Sequence, residues 1–231
     1  KLLGQLCAND VDVEAGRLVY TQWLNERGGI ESDLTVGRLA EDKFMVITSA
    51  TAQTRDFHWI RRHIDGQAVT LSDVTSAHAV LGVMGPNSRS LINKISTADL
   101  GNEAFPFGHF QEIEIGYAMV RAMRVTYVGE LGWELHIPTE FALHVYDTLM
   151  EAGQADGLKL VGMHAMNSLR IEKAYRHWGH DITDEDTPLE AGLSFAVAFD
   201  KAGGFIGRDA LLRQREAGLK KRLVQFLLND P

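Results

Sequence analysis

The stretch Thr126–Pro138, TYVGELGWELHIP, constrains the fold most, because two glycines bracket a short turn between residues that favour strands. If Glu130 and Leu131 form the centre of the turn, Tyr127 directly faces Glu134. Opposed side chains share one face of an antiparallel pair, with Cβ atoms about 5 Å apart. In this arrangement the carboxylate could accept two N–H bonds and the phenol ring could stack. The pair could therefore bind a flat heterocycle that has an amino group beside a ring N–H. An ordinary solvent-facing hairpin fits the same spacing, so both interpretations stay open.

Composition and charge restrict the class of protein. The chain has 231 residues, of which 45% are hydrophobic and 23% charged, as in globular proteins with a substantial core. Cys7 is its single cysteine, so an intrachain disulfide is impossible. The net charge of -8 argues against nucleic-acid binding. No apolar run approaches the roughly 18 residues of a membrane span, so we expect neither a nucleic-acid nor a membrane partner.

Periodicity predicts an α+β chain. Predicted strands cover residues 17–24, 30–39, 44–48, 69–74, 79–84, 110–115, 119–128, 195–199 and 222–228. Predicted helices cover residues 51–64, 87–95, 139–152, 163–175 and 208–216, with Thr139 as an N-cap. Strands follow one another through hairpins rather than strict βαβ units, which favours largely antiparallel sheets.

Asp33 is the first candidate for chemistry. It lies three residues into the strand that follows Gly28–Gly29. Glu31, Asp33 and Thr35 have the same parity and therefore share one strand face. An acid there can accept a proton or stabilise a cationic intermediate, and it can equally belong to a solvated strand face.

The run Gly179–Leu193, GHDITDEDTPLEAGL, is strongly acidic. Its oxygens could bind a cation, but their register does not match a calcium loop, so a capped, solvated loop is the better interpretation. The histidines form no zinc motif, and we expect no metal site. The chain also lacks a P-loop, a GxSxG elbow and a GxGxxG fingerprint.

Four stretches together resemble a known family. In chain order they are NERGGIESDLTV, TYVGELGWELHIP, SLRIEKAYRHWGHDITDEDTPLEAGL and FIGRDALL. They resemble the folate-binding, aminomethyltransferase-like region of the glycine-cleavage T-protein family. Within it, QWLNERGGIESDLTV and YRHWGHDITDEDTPLEAG look most like the C-terminal region of dimethylglycine and sarcosine dehydrogenases.

The resemblance implies an aminomethyltransferase (folate-binding) fold, in which two intertwined subdomains with mainly antiparallel sheets close around folate. Residues 1–75 plus 185–231 would form one subdomain, and residues 76–184 the other. The whole chain, 1–231, would be a folate-binding fragment that lacks an upstream FAD domain and a C-terminal β-rich domain. FAD is thus implied only in the missing upstream domain.

The resemblance also assigns the site residues. The family's catalytic acid falls on Asp33. The positions that bind the folate cofactor fall on Thr35, Tyr127, Glu134 and Tyr175. In this reading Tyr127 and Glu134 hold the pterin, and Glu134 accepts its amino group and ring N–H together.

The implied function is one-carbon transfer. Tetrahydrofolate would capture a carbon from a small N-methyl amine donor as 5,10-methylenetetrahydrofolate. The alternatives are a free glycine-cleavage aminomethyltransferase and a non-catalytic folate-binding regulatory module. The free enzymes usually read Ala-Arg-Asp where this chain has Ala165, Met166 and Asn167, which argues against the first alternative. The nearby Arg170 is interpreted as structural, paired with an acid. The expected location is the cytoplasm, or the mitochondrial matrix in a eukaryote.

Overall fold

The computed structural model describes residues 1–229. Its helices and strands, in chain order, are α1 (Leu2–Leu6), β1 (Leu18–Leu24), β2 (Ile30–Arg38), β3 (Phe44–Ile47), α2 (Gln53–His63), β4 (His78–Met84), α3 (Ser88–Ile92), β5 (Phe110–Ile115), β6 (Ala118–Met123), β7 (Gly132–Pro138), α4 (Ala142–Gly153), α5 (Met163–Glu172) and α6 (Arg208–Ala217). The predicted α+β class with antiparallel pairing is confirmed. The chain divides into two compact units.

The first unit comprises Lys1–Ala15, Val19–Leu71 and the chain from Arg176 onward. Its sheet has the order β1–β2–β3. Strand β2 alternates as the sequence predicts: Ser32, Leu34 and Val36 are buried, whereas the intervening side chains are partly exposed. Helix α2 is fixed to the buried face of β2, because the Ser32 hydroxyl donates to the Asp56 carboxylate over 2.6 Å.

The second unit comprises Gly16–Leu18 and Ser72–Tyr175. Its sheet has the order β4–β7–β6–β5, and each neighbouring pair is antiparallel. One face of this sheet packs on α3 and α4 through fully buried side chains such as Trp133, Leu135 and Ile137. Alternation along β7 therefore places Glu134 and His136 on the opposite face.

The predicted register of the hairpin is wrong. Glu134 pairs with Met123 on β6 rather than with Tyr127. Strand β6 ends at Met123, because the Val125 N–H turns back to donate to the Met123 carbonyl, a bond that closes a γ-turn. Residues 124–131 therefore form a loop instead of the predicted strand end and two-residue turn.

Three other predicted strands are also wrong. Residues 69–74 and 222–228 form no strand, and residues 195–199 overlap a short 3-10 turn, Ser194–Ala196. Their apolar composition satisfies the strand pattern, but no strand within residues 1–229 pairs with them. Thr139 is not the helix cap either, since its hydroxyl donates to the Ser76 carbonyl.

Candidate functional site

Asp33 lies on the partly exposed face of β2, two residues from Thr35. Successive positions on one strand face are about 7 Å apart, so the two side chains are neighbours along the strand. Gln22 of β1 donates its amide Nε2 to Asp33 Oδ1 over 2.9 Å. Adjacent strands of the first unit thus bring an acid and an amide together.

The surroundings of Asp33 favour its protonated form. Burial raises the pKa of Asp33 above its ordinary value, while hydrogen bonds from Gln22 and Tyr20 and the positive charge of Arg176 counteract this rise. The pKa of Tyr20 is also raised, first by burial and then by the neighbouring Asp33 charge, so its hydroxyl stays protonated. A raised pKa makes the Asp33 carboxylate a stronger base, so it is better able to accept a proton from an amine.

Glu134 lies in the middle of the second unit's sheet. Its partner on β4 is Gly82, and its partner on β6 is Met123. A Cβ added to Gly82 would meet only the terminal methyl of Met84, at 3.8 Å, so the space beside Glu134 is open. The Glu134 side chain is 30% exposed, and its Oε2 lies 3.8 Å from Nε2 of the buried His136. A carboxylate beside bare backbone can accept N–H groups from a flat ligand.

Tyr127 and Tyr175 come together in the second unit. Their ring centroids are 6.5 Å apart, and the ring planes are inclined by 25°. Tyr127 belongs to the 124–131 loop, which packs on the residues after α5: Glu130 pairs with Lys173 at 3.7 Å. The structure thus brings Tyr127 to Tyr175 by loop packing, not to Glu134 by strand pairing.

The backbone at the end of α5 fixes Tyr175. Ala174 has a positive φ of 57°, its N–H donates to the Ile171 carbonyl, and the Tyr175 N–H donates to the Arg170 carbonyl. These bonds form a Schellman motif with alanine at the position that glycine usually occupies. The buried Arg170 donates to the Tyr175 carbonyl over 2.8 Å and to Asn167 Oδ1 over 2.8 Å. These contacts give Arg170 a structural role, but these two partners are an amide and a backbone carbonyl rather than the expected acid.

The acidic run forms a hydrogen-bonded loop of the first unit. The Thr187 hydroxyl accepts the Glu190 N–H, and the Glu190 carboxylate accepts the Thr187 N–H, so the two residues form a capping box. Asp186 accepts from Thr183 and from Lys221, and Lys221 with Thr183 holds the pKa of Asp186 below its usual value despite partial burial. Residues 1–229 contain no cluster of three or more His, Cys, Asp or Glu arranged to hold a metal ion.

The site residues that the sequence predicted fall into two groups. Asp33 and Thr35 lie in the first unit, whereas Tyr127, Glu134 and Tyr175 lie in the second.

Sequence reasoning missed Tyr20 and Gln22. Their signal was available in the alternation of LVYTQWL, which puts a phenol and an amide on one face of a strand next to β2.

Two features bear on other classes of site. Cys7 is fully buried and accepts from the Trp23 indole N–H over 3.3 Å, and burial raises the pKa of its thiol to about 11, so it is a poor nucleophile. Within residues 1–229, no helix has the length and apolarity needed to cross a bilayer.

Comparisons with known proteins identify the family. The GCVT N-terminal domain model matches residues 1–201. The chain is 46% identical over 222 residues to "4-methylaminobutanoate oxidase (formaldehyde-forming)" of Paenarthrobacter nicotinovorans, covering 96% of this chain and 27% of the relative. It is 41% identical over 240 residues to human mitochondrial sarcosine dehydrogenase, covering 97% and 26%.

A solved structure has the same fold. The glycine cleavage system aminomethyltransferase T of Bartonella henselae superposes with a TM-score of 0.79 at 28% identity, covering 94% of this chain and 58% of that protein. The predicted aminomethyltransferase fold is thereby confirmed. The chain spans about a quarter of the length of the two oxidoreductase relatives. Because the family model matches most of the sequence, the chain belongs to the GCVT N-terminal domain family.

Proposed function

We propose that this chain is the tetrahydrofolate-binding, one-carbon-transfer region of an N-methyl amine oxidoreductase of the dimethylglycine or sarcosine dehydrogenase type. The observation that carries the proposal is the partly buried Asp33 carboxyl with a raised pKa, in a chain of this family. The product would be 5,10-methylenetetrahydrofolate. The flavin that oxidises the amine would belong to a segment outside this chain.

The residues of the second unit fit a pterin. Glu134 has the two acceptor oxygens that an amino group and a neighbouring ring N–H require, and the open backbone at Gly82 leaves room for a flat ring beside it. The buried His136 Nε2, without a hydrogen-bond partner in the described chain, can donate to Glu134 when the carboxylate shifts by a fraction of an ångström. Tyr127 and Tyr175 offer aromatic surface.

Tetrahydrofolate, when bound, supplies the amine that takes up the one-carbon unit. Two N–H groups of the bound cofactor would each be replaced by a C–N bond to the iminium carbon of the oxidised donor, while the bond from that carbon to the donor nitrogen breaks. One of the two protons would leave on the demethylated amine, and Asp33 would accept the other, which its raised pKa favours. Thr35 on the same face of β2 would contact the ligand. Glu134 contributes binding and orientation rather than proton transfer, because pterin binding requires both of its oxygens as acceptors.

The experiment uses the full-length protein with an N-methyl amine chosen by screening dimethylglycine, sarcosine and 4-methylaminobutanoate. Without tetrahydrofolate, the oxidised carbon should leave as formaldehyde, as the name of one relative states for that enzyme. With tetrahydrofolate, formaldehyde should fall and methylenetetrahydrofolate should appear in its place. Formaldehyde release unaffected by tetrahydrofolate would contradict the proposal.

The matched variants are Glu134→Ala and Glu114→Ala, the second being an exposed carboxylate on β5 of the same sheet. Loss of a charge-assisted bidentate contact should raise the Kd for tetrahydrofolate at least about tenfold in Glu134→Ala. Calorimetry measures the Kd, and the rate of amine oxidation should not change. Glu114→Ala should bind like the wild type. Equal affinity in a folded Glu134→Ala variant would remove Glu134 from the pterin site.

The alternative of a free aminomethyltransferase is favoured by the structural match to the Bartonella enzyme. That function requires an aminomethyl group on a lipoyl carrier instead of an N-methyl amine. Release of ammonia from aminomethyl-lipoyl carrier protein in the presence of tetrahydrofolate, without any oxidation of N-methyl amines, would favour this alternative.

A further inference from the structure

Gln22 is a buried amide that is satisfied at only one end. Its side chain is 0% exposed on β1, between the buried Thr21 and Trp23. Nε2 donates to Asp33, but Oε1 is buried and has no hydrogen-bond partner within the described chain. A buried acceptor without a donor costs about 1–3 kcal/mol, so an apolar side chain would suit this position better if packing alone mattered.

Several polar and charged groups face Asp33, and the Gln22 amide is one of them. From β1, Tyr20 and Gln22 face the carboxyl, and Arg176 contributes a positive charge from the final part of the first unit. On β2 itself, Glu31 lies two residues away on the same face. Strand β3, Phe44–Ile47, carries no titratable side chain. Of the influences that favour the ionised form of Asp33, the hydrogen bond from Gln22 is the largest.

We propose that Gln22 is the positioning residue of the transfer site: its buried Nε2 orients the Asp33 carboxylate and stabilises its ionised form. This inference rests on the proposed function. No bond to Gln22 is made or broken. The amine proton passes to Asp33, and the fixed amide keeps the receiving oxygen in place.

A near-isosteric substitution separates positioning from packing. Gln22→Met keeps an unbranched side chain of similar volume and removes the donor and the orphan acceptor together. A hydrogen bond to an ionised group accounts for about one to two pH units of a carboxyl pKa. In the full-length enzyme, the acid limb of the pH profile for methylenetetrahydrofolate formation should therefore move upward by about that amount. Amine oxidation should keep its pH profile.

Gln22→Glu provides a second variant of unchanged volume. Its carboxyl group lies in contact with that of Asp33 and away from water, so the pair should hold one shared proton up to a raised pKa, and the acid limb should move in the same direction. Gln111→Met is the matched control, because Gln111 also makes one amide hydrogen bond, to the Ala104 carbonyl, on the exposed surface of β5. Its pH profile should equal that of the wild type.

A measurement independent of folate distinguishes failure of this inference from failure of the proposed function. Aspartate labelled with ¹³C at the carboxyl reports the titration of Asp33 by NMR, and the signal is assigned by its loss in Asp33→Asn. The Asp33 pKa should rise in Gln22→Met even if the wild type transfers no carbon to tetrahydrofolate. An unchanged Asp33 titration in both Gln22 variants would overturn the inference and leave Gln22 as a packing residue.

Discussion

At the scale of a single residue, the buried Asp33 carboxyl carries a thermodynamic cost when it is ionised. Burial raises its pKa, so the folded chain binds this proton more tightly than the unfolded chain does. The stability that the protonated group contributes is present below the unfolded pKa, near 4, and is lost as the pH rises through the folded pKa. At neutral and alkaline pH, the ionised group destabilises the fold relative to a neutral isostere.

Asp33→Asn should therefore raise the melting temperature at pH 8. The asparagine keeps the shape and can still accept the hydrogen bond from Gln22 Nε2, but it carries no charge to desolvate. The gain should shrink as the pH falls through the raised pKa of Asp33, because the wild-type group then becomes protonated and has no charge to desolvate. Thermal unfolding between pH 4 and pH 8, followed by fluorescence, measures the difference.

Asp42→Asn is the control for this substitution, because Asp42 is an exposed acid between β2 and β3. It should change the free energy of unfolding by less than about 0.5 kcal/mol at every pH. A lower melting temperature for Asp33→Asn at pH 8 would show that the ionised carboxylate stabilises the fold.

Single residues were predictable from sequence where one local rule determines the outcome. The two-residue period of a strand placed Asp33 and Thr35 on one face, and it also placed Glu134 on the face opposite to Trp133. The neighbour of Glu134 was not predictable, because it depends on the register between strands. Gln22 escaped notice because burial of an amide depends on tertiary packing that the sequence does not display.

At the scale of elements, the turn between β1 and β2 is fixed by the acidic loop. The Asn25 carboxamide accepts the Gly29 N–H over 3.0 Å and donates to the Asp184 carbonyl over 3.2 Å. The Ile30 N–H donates to the Asp186 carbonyl over 2.9 Å. The Gly179–Leu193 loop, interpreted from sequence as solvated, therefore fixes the start of β2, the strand that carries Asp33, through hydrogen bonds.

Gly29→Ala should disrupt the contact between the β1–β2 turn and the acidic loop. A Cβ at Gly29 would lie 1.8 Å from the Asp184 carbonyl oxygen, which is backbone and cannot rotate away. The resulting displacement should lower the free energy of unfolding by about 1–3 kcal/mol. Urea denaturation measures this loss. Gly4→Ala in α1 is the control, since nothing lies within 4 Å of its Cβ position and alanine favours a helix. Equal stability of the two variants would contradict the close approach.

Helices and strands were predictable from sequence when the pattern that determines them lies within their own residues. The helix periods of α2, α4 and α6 and the alternation of β2 are contained in their own sequences, and the structure has all four. The 124–131 loop is different, because its course depends on contacts such as Glu130 with Lys173, more than forty positions away. The TPLE capping box would have been readable, since threonine, proline and glutamate occupy its characteristic positions.

At the scale of the whole molecule, the two units differ in how the chain contributes to them. Within residues 1–229, the buried members of the second unit's hydrophobic cluster lie between Val83 and Leu149. The first unit has two buried clusters. One has all its buried members between Leu2 and Ile60, whereas the other joins distant segments, since Leu24 and Ile30 pack with Leu193 and Leu211. The family resemblance, and not the hydrophobic pattern, led us to expect that one subdomain combines an early and a late segment while the middle segment forms the other. Periodicity assigns faces within an element but not the element against which a face packs.

This difference predicts which part of the chain folds alone. The segment 72–175 contains every buried member of the second unit's hydrophobic cluster. It lacks Gly16–Leu18, which pairs with residues 108–110 and includes the buried Leu18. Segment 1–71 lacks the core side chains that follow residue 176. Trp133 is the single tryptophan of segment 72–175 and is fully buried, so its emission should be blue-shifted and should move to longer wavelength in one cooperative urea transition.

Segment 1–71, which contains Trp23 and Trp59, keeps the cluster in which Trp23 and Leu34 are buried. Leu24 and Ile30, however, lose the partners that follow residue 176, so the segment should unfold at lower urea and less cooperatively than segment 72–175. Ile113→Asp in segment 72–175 is the control, since a carboxylate at this buried position should abolish the transition. An unfolded segment 72–175 would mean that its core needs residues outside the segment despite being contiguous. A cooperative transition in segment 1–71 would mean that β1, β2 and α2 suffice for a core without the residues after 176.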